Sequence, residues 1–335
     1  MGQVAEPRGR NPAGTGHFRA LIPAAARESV ARHPVLARLL SDHPDLEHSC
    51  RELPRKLNSL MRHPEAVRIL AAAVRTVAER GAEAVLADPV RGMATPLTPE
   101  QRAISRQVRD RVRQIRPRDR LQPGFDASRH HDGAYQREFL DRQYAAWPET
   151  QRALNELAGE IAGQTGGAAH WRTQPKDRER AWEKIGEYRG DVSRLVDLVG
   201  ARIVFDRVDE VYRALACIAD DTRVEIVYIK DRFDCPQASG YRDVLLNLRM
   251  PNGHIAELCL HLRRIEAVVR YEHALYEVQR DFETLARREN RELSPREAAL
   301  NIEVRRYLNG LFWQATVLGL PDGPADSDGS SKVGS

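Results

Sequence analysis

The chain has 335 residues, a formal net charge of +4, and a composition that is rich in charge and poor in aromatics, as in a globular protein. That length suits one large domain or two ordinary ones. No apolar run of about 18 residues exists to span a bilayer, so no membrane role is expected. The first residues lack the apolar core of a secretory signal, and the four cysteines are scattered without CxxC spacing, which disfavours zinc and fits a reducing, cytoplasmic setting. Delivery into another cell stays open.

The charge is uneven. Residues 1–130 hold 23 Lys+Arg against 14 Asp+Glu, or +9, and the remainder 29 against 34, or −5. A basic first half is compatible with an acidic partner or RNA, but no long block of one sign appears, and a solvated helical surface explains it more simply. Only five residues are lysine, and three of them (Lys176, Lys184, Lys230) fall within 55 residues. In an arginine-dominated chain, such lysines mark places that want a compact ammonium.

Residues 1–17 are expected to be disordered. A helical region is expected over 18–162. His33-Pro34 and His63-Pro64 each open a helix with Pro in its first turn, and the two segments echo one another 30 residues apart. Residues 88–98 read as a linker, and Thr98-Pro99-Glu100-Gln101 begins a capped, arginine-rich helix. Residues 117–134 read as irregular. They contain His131-Asp132, a dyad that metal phosphohydrolases use, but no second His or Asp stands at a suitable spacing. One or two helices follow over 135–162, and GQTGGAAH (163–170) reads as a flexible joint.

From Trp182 an amphipathic helix is expected to carry Asp197 near its end and to turn at Gly200 into a buried strand, Ala201–Asp206. A helix then spans Val208–Ala219 and a strand Val224–Lys230. The runs 241–250 and 254–262 alternate around Pro251-Asn252-Gly253, a β-hairpin signal. A three-residue loop with Gly253 in the left-handed region pairs Met250 with His254. This register puts Asn247 opposite Glu257, Leu245 opposite Cys259, and Asp243 opposite His261, so Tyr241, Asp243, Asn247, Glu257 and His261 line one face. A helix is expected from Arg264 to about Arg288, then a last one from the Ser294–Glu297 capping box to about Trp313, with a disordered tail over 321–335.

Two carboxylates, several cations and an exposed Tyr suit phosphoryl-type transfer, which is mostly positioning and charge neutralisation. Asp197 and Glu257 could hold Mg²⁺, which binds through one or two carboxylates plus substrate phosphates. Lys176, Lys184 and Arg202 could take phosphate charge, and Tyr241 could stack on a base. Taken one at a time, each residue also has an ordinary structural reading.

The order K-x7-K-x12-D-L-x-G-x-R-I, then G-Y-R, a hairpin, E-L-x-L and H-x-x-Y-E resembles the synthetase domain of the RelA/SpoT family. The likeness is to its small, hydrolase-free and toxin-type members and covers roughly residues 165–285. The resemblance implies an α/β (α+β) domain at 165–290, a mixed β-sheet flanked by helices and distantly like nucleotidyltransferases; the C-terminal helix read from the capping box makes a separate segment at 291–320. It implies transfer of pyrophosphate from ATP to the 3′-hydroxyl of a nucleotide (GDP/GTP or ADP/ATP) or of tRNA, with Mg²⁺. Growth arrest, a homo-oligomer, and an antitoxin or immunity partner would accompany the toxin-type reading.

Carried over, Lys176 and Lys184 match cations on the ATP phosphates and Asp197 matches a Mg²⁺ ligand. Tyr241 matches a base-stacking Tyr, and Glu257 matches a Glu that binds metal and activates the hydroxyl. The chain departs from the family at Gln174, where Arg172 or Arg178 could substitute, and at Gln237, where Lys230 or Arg232 could. It departs again at Ser239, Asp243, Leu245 and Cys259. These changes alter the acceptor side. Two other readings stand beside the enzyme: an inactive nucleotide-binding sensor or scaffold, and an RNA- or partner-binding module.

Overall fold

The computed structural model describes residue 60 and residues 62–318. The expectations for 1–17, for the first His-Pro segment and for 321–335 lie outside those residues. The described chain is α+β: four helices precede the first strand, and a five-stranded mixed sheet follows with further helices. No helix among the described residues is long and apolar enough to cross a membrane.

Two compact units divide it. One runs Gly92–Ala267 and resumes at Asn309; the other takes the residues up to Arg91 with Val268–Leu308. The sheet unit therefore includes helices that the sequence placed in a separate region ending at 162. The first boundary, at 91/92, falls in the stretch read as a linker, whereas those at 267/268 and 308/309 fall inside helices, where no Pro/Gly-rich linker marks them.

In the smaller unit, α1 (Pro64–Arg80) starts with Pro64 in its first turn after His63, and α2 (Ala82–Leu86) follows Gly81. Glu303, buried, is held by Arg80 at 3.5 Å and Arg306 at 3.1 Å.

In the larger unit, α3 (Pro99–Gln114) begins at the expected capping box, with the Thr98 hydroxyl accepting from Gln101 N and Gln101 Oε1 accepting from Thr98 N. Its arginines are not all solvated: Arg109 pairs with Asp234 at 2.6 Å and Arg111 donates to the Ala219 carbonyl. The single long helix α4 (Gly133–Thr165) is capped by Asp132, which accepts from Ala134 N and Tyr135 N and pairs with Arg129. Capping gives Asp132 of the His131-Asp132 pair an ordinary structural role.

The helix ends at Gly166 in the left-handed region. The stretch read as a flexible joint instead contains an edge strand, β1 (Ala168–Trp171), antiparallel to β2 (Gly200–Phe205). Four residues, two of them alanine, are too few to display an alternation. Helix α5 (Arg178–Glu187) is shorter than expected, so Asp197 sits beyond it, in the non-helical approach to β2. A turn with Arg189 and Gly190 at positive φ ends that helix.

Helix α6 (Val208–Asp220), β3 (Glu225–Asp231), β4 (Val244–Arg249) and β5 (Ile255–Leu262) follow, and α7 (Arg263–Arg288) and α8 (Pro295–Val317) close the described chain. Helix α8 runs four residues past the expected end.

The sheet order is β1-β2-β5-β4-β3, with β2 and β5 parallel and the other neighbours antiparallel. The hairpin register is the expected one: Asn247 faces Glu257 and Leu245 faces Cys259, Met250 N donates to His254 O, and Gly253 has φ +82°. Ile203, Leu246, Leu258 and Leu260 are wholly buried on the face that α4 and α6 cover. Their burial leaves the alternate residues, including Arg202, Glu257, Cys259, His261, Asn247 and Leu245, together on the other face.

Candidate active site

Period-2 alternation places the polar residues, and the approach to β2 supplies the rest. Asp197 is buried just before Gly200, and Gly200 is the ladder partner of Glu257, whose backbone N donates to Val199 O at 3.1 Å. Gln151 of α4 holds this node with both ends of its amide. Its Nε2 donates to Gly200 O and its Oε1 accepts from Gly200 N, each at 3.1 Å. Arg172 N also donates to Gly200 O at 3.3 Å, extending the β1–β2 pairing.

Lys176 and Lys184 converge on one oxygen. Their Nζ atoms lie 2.5 Å and 2.7 Å from Asp197 Oδ2. Helix α4 also steadies the first lysine, since Tyr144 OH donates to Lys176 O at 2.6 Å and Arg178 lies over the Tyr144 ring while pairing with Asp141. Helix α5 presents Lys184 from its last turn and buries Ala181 and Ile185 against Phe139 and Leu140 of α4.

Burial alone would raise the pKa of Asp197, but hydrogen bonds from Lys176 and Lys184 outweigh it and hold the carboxyl below its usual range. Asp197 Oδ1 is buried without a hydrogen-bond partner. Glu257 shifts the opposite way: burial raises its pKa, the like charge of Asp197 adds to that, and Arg172 and Lys184 only partly offset it. Two carboxylates that feel one another, one with an orphaned buried oxygen, make a donor set that suits Mg²⁺, a hard cation needing few protein ligands. The smallness of the set is consistent with no group of three or more His, Cys, Asp or Glu among the described residues.

The other end of the face is a buried polar network. Tyr241 OH donates to Asp243 Oδ2 at 2.8 Å and lies 2.7 Å from His261 Nε2, while Asp243 Oδ1 pairs with the Arg232 guanidinium. Because the Tyr hydrogen serves the carboxylate, His261 must donate through Nε2. Burial lowers the His261 pKa, which keeps the ring neutral and leaves Nδ1 a bare acceptor, and Nδ1 has no partner. Asn247 Oδ1 and Arg232 Nε are likewise buried and unpartnered. The Tyr241 ring packs edge-on against Phe312 of α8 at 5.7 Å and lies under the Arg232 guanidinium at 5.6 Å.

The structure thus gathers Lys176, Lys184 and Asp197 in direct contact, with Arg172 and Glu257 in their field. It sets Arg202 apart: the side chain is exposed on the same face and pairs with Glu266 at 2.9 Å. Tyr241 lies at the far end, its hydroxyl already engaged. Sequence reasoning missed Gln151 and Tyr144, which carry no motif and act through backbone contacts from a helix that precedes the site. The Asp243–Arg232 pair had one signal, a carboxylate where the family pattern has Ser.

Residues 173–279 match the family model described as "Region found in RelA / SpoT proteins". No curated protein matches the sequence. Among solved structures, small alarmone synthetase 1 from Bacillus subtilis bound to its product pppGpp is similar at 14% identity and TM-score 0.40, covering 54% of this chain and 96% of that one. The complex of the Type VI effector Tas1 with its immunity protein is similar at 19% identity and TM-score 0.38, covering 53% and 96%. A GTP pyrophosphokinase family protein from Streptococcus pneumoniae is similar at 21% identity and TM-score 0.37, covering 53% and 89%. The family assignment rests on the sequence match rather than on these superpositions. Over residues 173–279, about a third of its length, this chain is similar in sequence to the region found in RelA/SpoT proteins.

Proposed function

We propose that this chain is an ATP-dependent pyrophosphokinase that transfers the β,γ-pyrophosphoryl group of ATP to the 3′-hydroxyl of a nucleotide acceptor. The observation that supports this reading best is the pair of lysines on Asp197 Oδ2, beside an orphaned Oδ1 and a Glu257 of raised proton affinity. Asp197 and Glu257 would hold Mg²⁺, which when bound would neutralise charge on the phosphate oxygens.

Lys176 and Lys184 then exchange part of their pairing with Asp197 for the incoming phosphates, Arg172 adds charge from just beyond β1, and Arg202 of β2 can do so only by leaving Glu266. Glu257 takes the proton of the 3′-hydroxyl as its oxygen bonds to the β-phosphorus, the bond from that phosphorus to the α,β-bridging oxygen breaks, and AMP leaves. A carboxylate whose affinity for protons is raised by burial is the better base for that step. Tyr241 contacts the acceptor base. Toxin action and an immunity-type partner belong to the same proposal, as does an adenosine or guanosine nucleotide, or a tRNA 3′ end, as acceptor.

The test is labelled ATP with Mg²⁺ and a panel of GDP, GTP, ADP, AMP and tRNA, with Asp197→Ala and Glu257→Ala as controls. Label should move to at least one acceptor and to none in the controls. Absence of transfer to every acceptor overturns the proposal.

A further inference from the structure

The acceptor end of the polar face has an unusual charge balance. Arg232 reaches onto it, over the Tyr241 ring, but its charge is balanced by Asp243, which is only 2% exposed, and its one unpartnered donor, Nε, is buried. His261 is neutral there. Arg242, next in the chain, is fully buried and turned elsewhere, donating to the carbonyls of Gly240 and Met93 and packing over Trp313. Lys230, opposite Leu245 on the edge strand, is exposed, and an exposed ammonium contributes little to binding an anion because water and salt screen it. Between the Asp243–His261 rung and the Asn247–Glu257 rung lies the uncharged pair Leu245 and Cys259, and Arg202, the β2 partner of Cys259, is exposed and already paired with Glu266. By contrast, the opposite end holds Lys176, Lys184 and Arg172 against two carboxylates.

We infer that the acceptor is held by its neutral parts and that no described residue clamps its 5′ phosphates with a cation, because the Arg232–Asp243 pair leaves this end of the site electrically closed. The inference rests on the pyrophosphokinase reading and concerns its acceptor side. Nucleoside mono-, di- and triphosphates of one base then bind about equally, and Asp243 is the residue that enforces this indifference.

The experiment is calorimetric titration of the full chain, its donor site filled with α,β-methylene-ATP and Mg²⁺, by GMP, GDP and GTP and by AMP, ADP and ATP. Dissociation constants within about threefold across one base's series are expected, less than the effect of a single good ion pair. Tightening of about tenfold or more from mono- to triphosphate overturns the inference, as does failure to bind any member of either series. Asp243→Asn frees Arg232, so the triphosphate should gain most; an unchanged series in that variant also overturns it. Arg232→Gln combined with Asp243→Asn, which removes the pair whole, serves if the first variant does not fold: the series should stay flat, and selective loss of the triphosphate would show that Arg232 already held its phosphates. Labelled transfer run alongside separates the two failures: no transfer sinks the reaction, whereas transfer with a steep phosphate dependence sinks only this inference.

Discussion

Arg172 crosses directly over Gly200: a Cβ added at Gly200 would lie 2.9 Å from Arg172 Nε. Glycine is needed there for the passage of a side chain, not for a left-handed backbone. Gly200→Ala should push Arg172 off its course and weaken ATP binding to about the level of Arg172→Ala. The double variant should be no worse than either single one, since residues acting through one contact are non-additive. Calorimetric ATP affinities of the three variants check this; wild-type affinity in Gly200→Ala would refute it.

Glu257 and Asp197 should respond oppositely to pH in metal-free buffer. The folded pKa of Glu257 is raised above 4.5 by burial and then by Asp197. Its favourable contribution is therefore complete below about pH 4.5 and is lost as pH rises through the folded value. Glu257→Gln should melt higher than wild type at pH 7, with the gain vanishing towards pH 4. Asp197 has its folded pKa lowered below 3.8, because its lysine partners outweigh burial. Its contribution is present above about pH 3.8 and fades as pH falls, so Asp197→Asn should melt lower at pH 7. Mg²⁺ added at pH 7 should raise the melting temperature of wild type more than that of either variant. Thermal melts across pH 4–8 decide all three.

Removing Lys184 leaves Asp197 buried with half its compensation. Lys184→Ala should cost about 1 kcal/mol, at the low end for a pair with a charged group because the lysine is 31% exposed and screened. Lys176→Ala with Lys184→Ala should cost more than the sum, and Asp197→Asn added to that pair should restore part of the loss. Urea unfolding midpoints of the series measure it, and a triple variant weaker than the double would count against the pairing.

The hairpin shows what a sequence can reveal by itself. Alternation in both strands leaves one register that keeps the faces separate, and Pro-Asn-Gly provides the turn that permits it, with Gly253 at φ +82°. Gly253→Ala should therefore cost about 1–2 kcal/mol, the strain of a side chain in the left-handed region. What stayed hidden was whatever depends on contacts distant in sequence. Strand β1 is too short to alternate, and gains its identity only from pairing with β2. Gln151 and Gln122 look like ordinary polar residues, yet one clamps Gly200 and the other bonds Ile255 N and O near the hairpin tip. The residue types of Asp197 and its two lysines were legible from composition and order, but their convergence on a single oxygen was not, since it depends on how α5 packs against α4.

Arg242 provides the sharpest test of how the 239–242 loop is held. It is completely buried, no carboxylate among the described residues pairs with it, and burial lowers its pKa to about 10. Its fork instead joins three stretches of chain: Gly240 O, Met93 O and Thr95 Oγ1 accept from it, and the Trp313 ring of α8 packs on it. Gly240 is pressed so close to α8 that a Cβ would lie 2.7 Å from Asn309 Cα. An ammonium cannot reproduce a planar fork with fixed donors, and each acceptor stranded in the interior costs about 1–3 kcal/mol. Arg242→Lys should therefore destabilise about as much as Arg242→Met, by about 2–4 kcal/mol. Both should also increase hydrogen exchange at residues 93–95 and 239–242, while the distant Asp197–Lys184 segment keeps its protection. Full rescue by lysine would show that charge alone holds the loop, and unchanged exchange at 93–95 would show that Arg242 does not tie that stretch down.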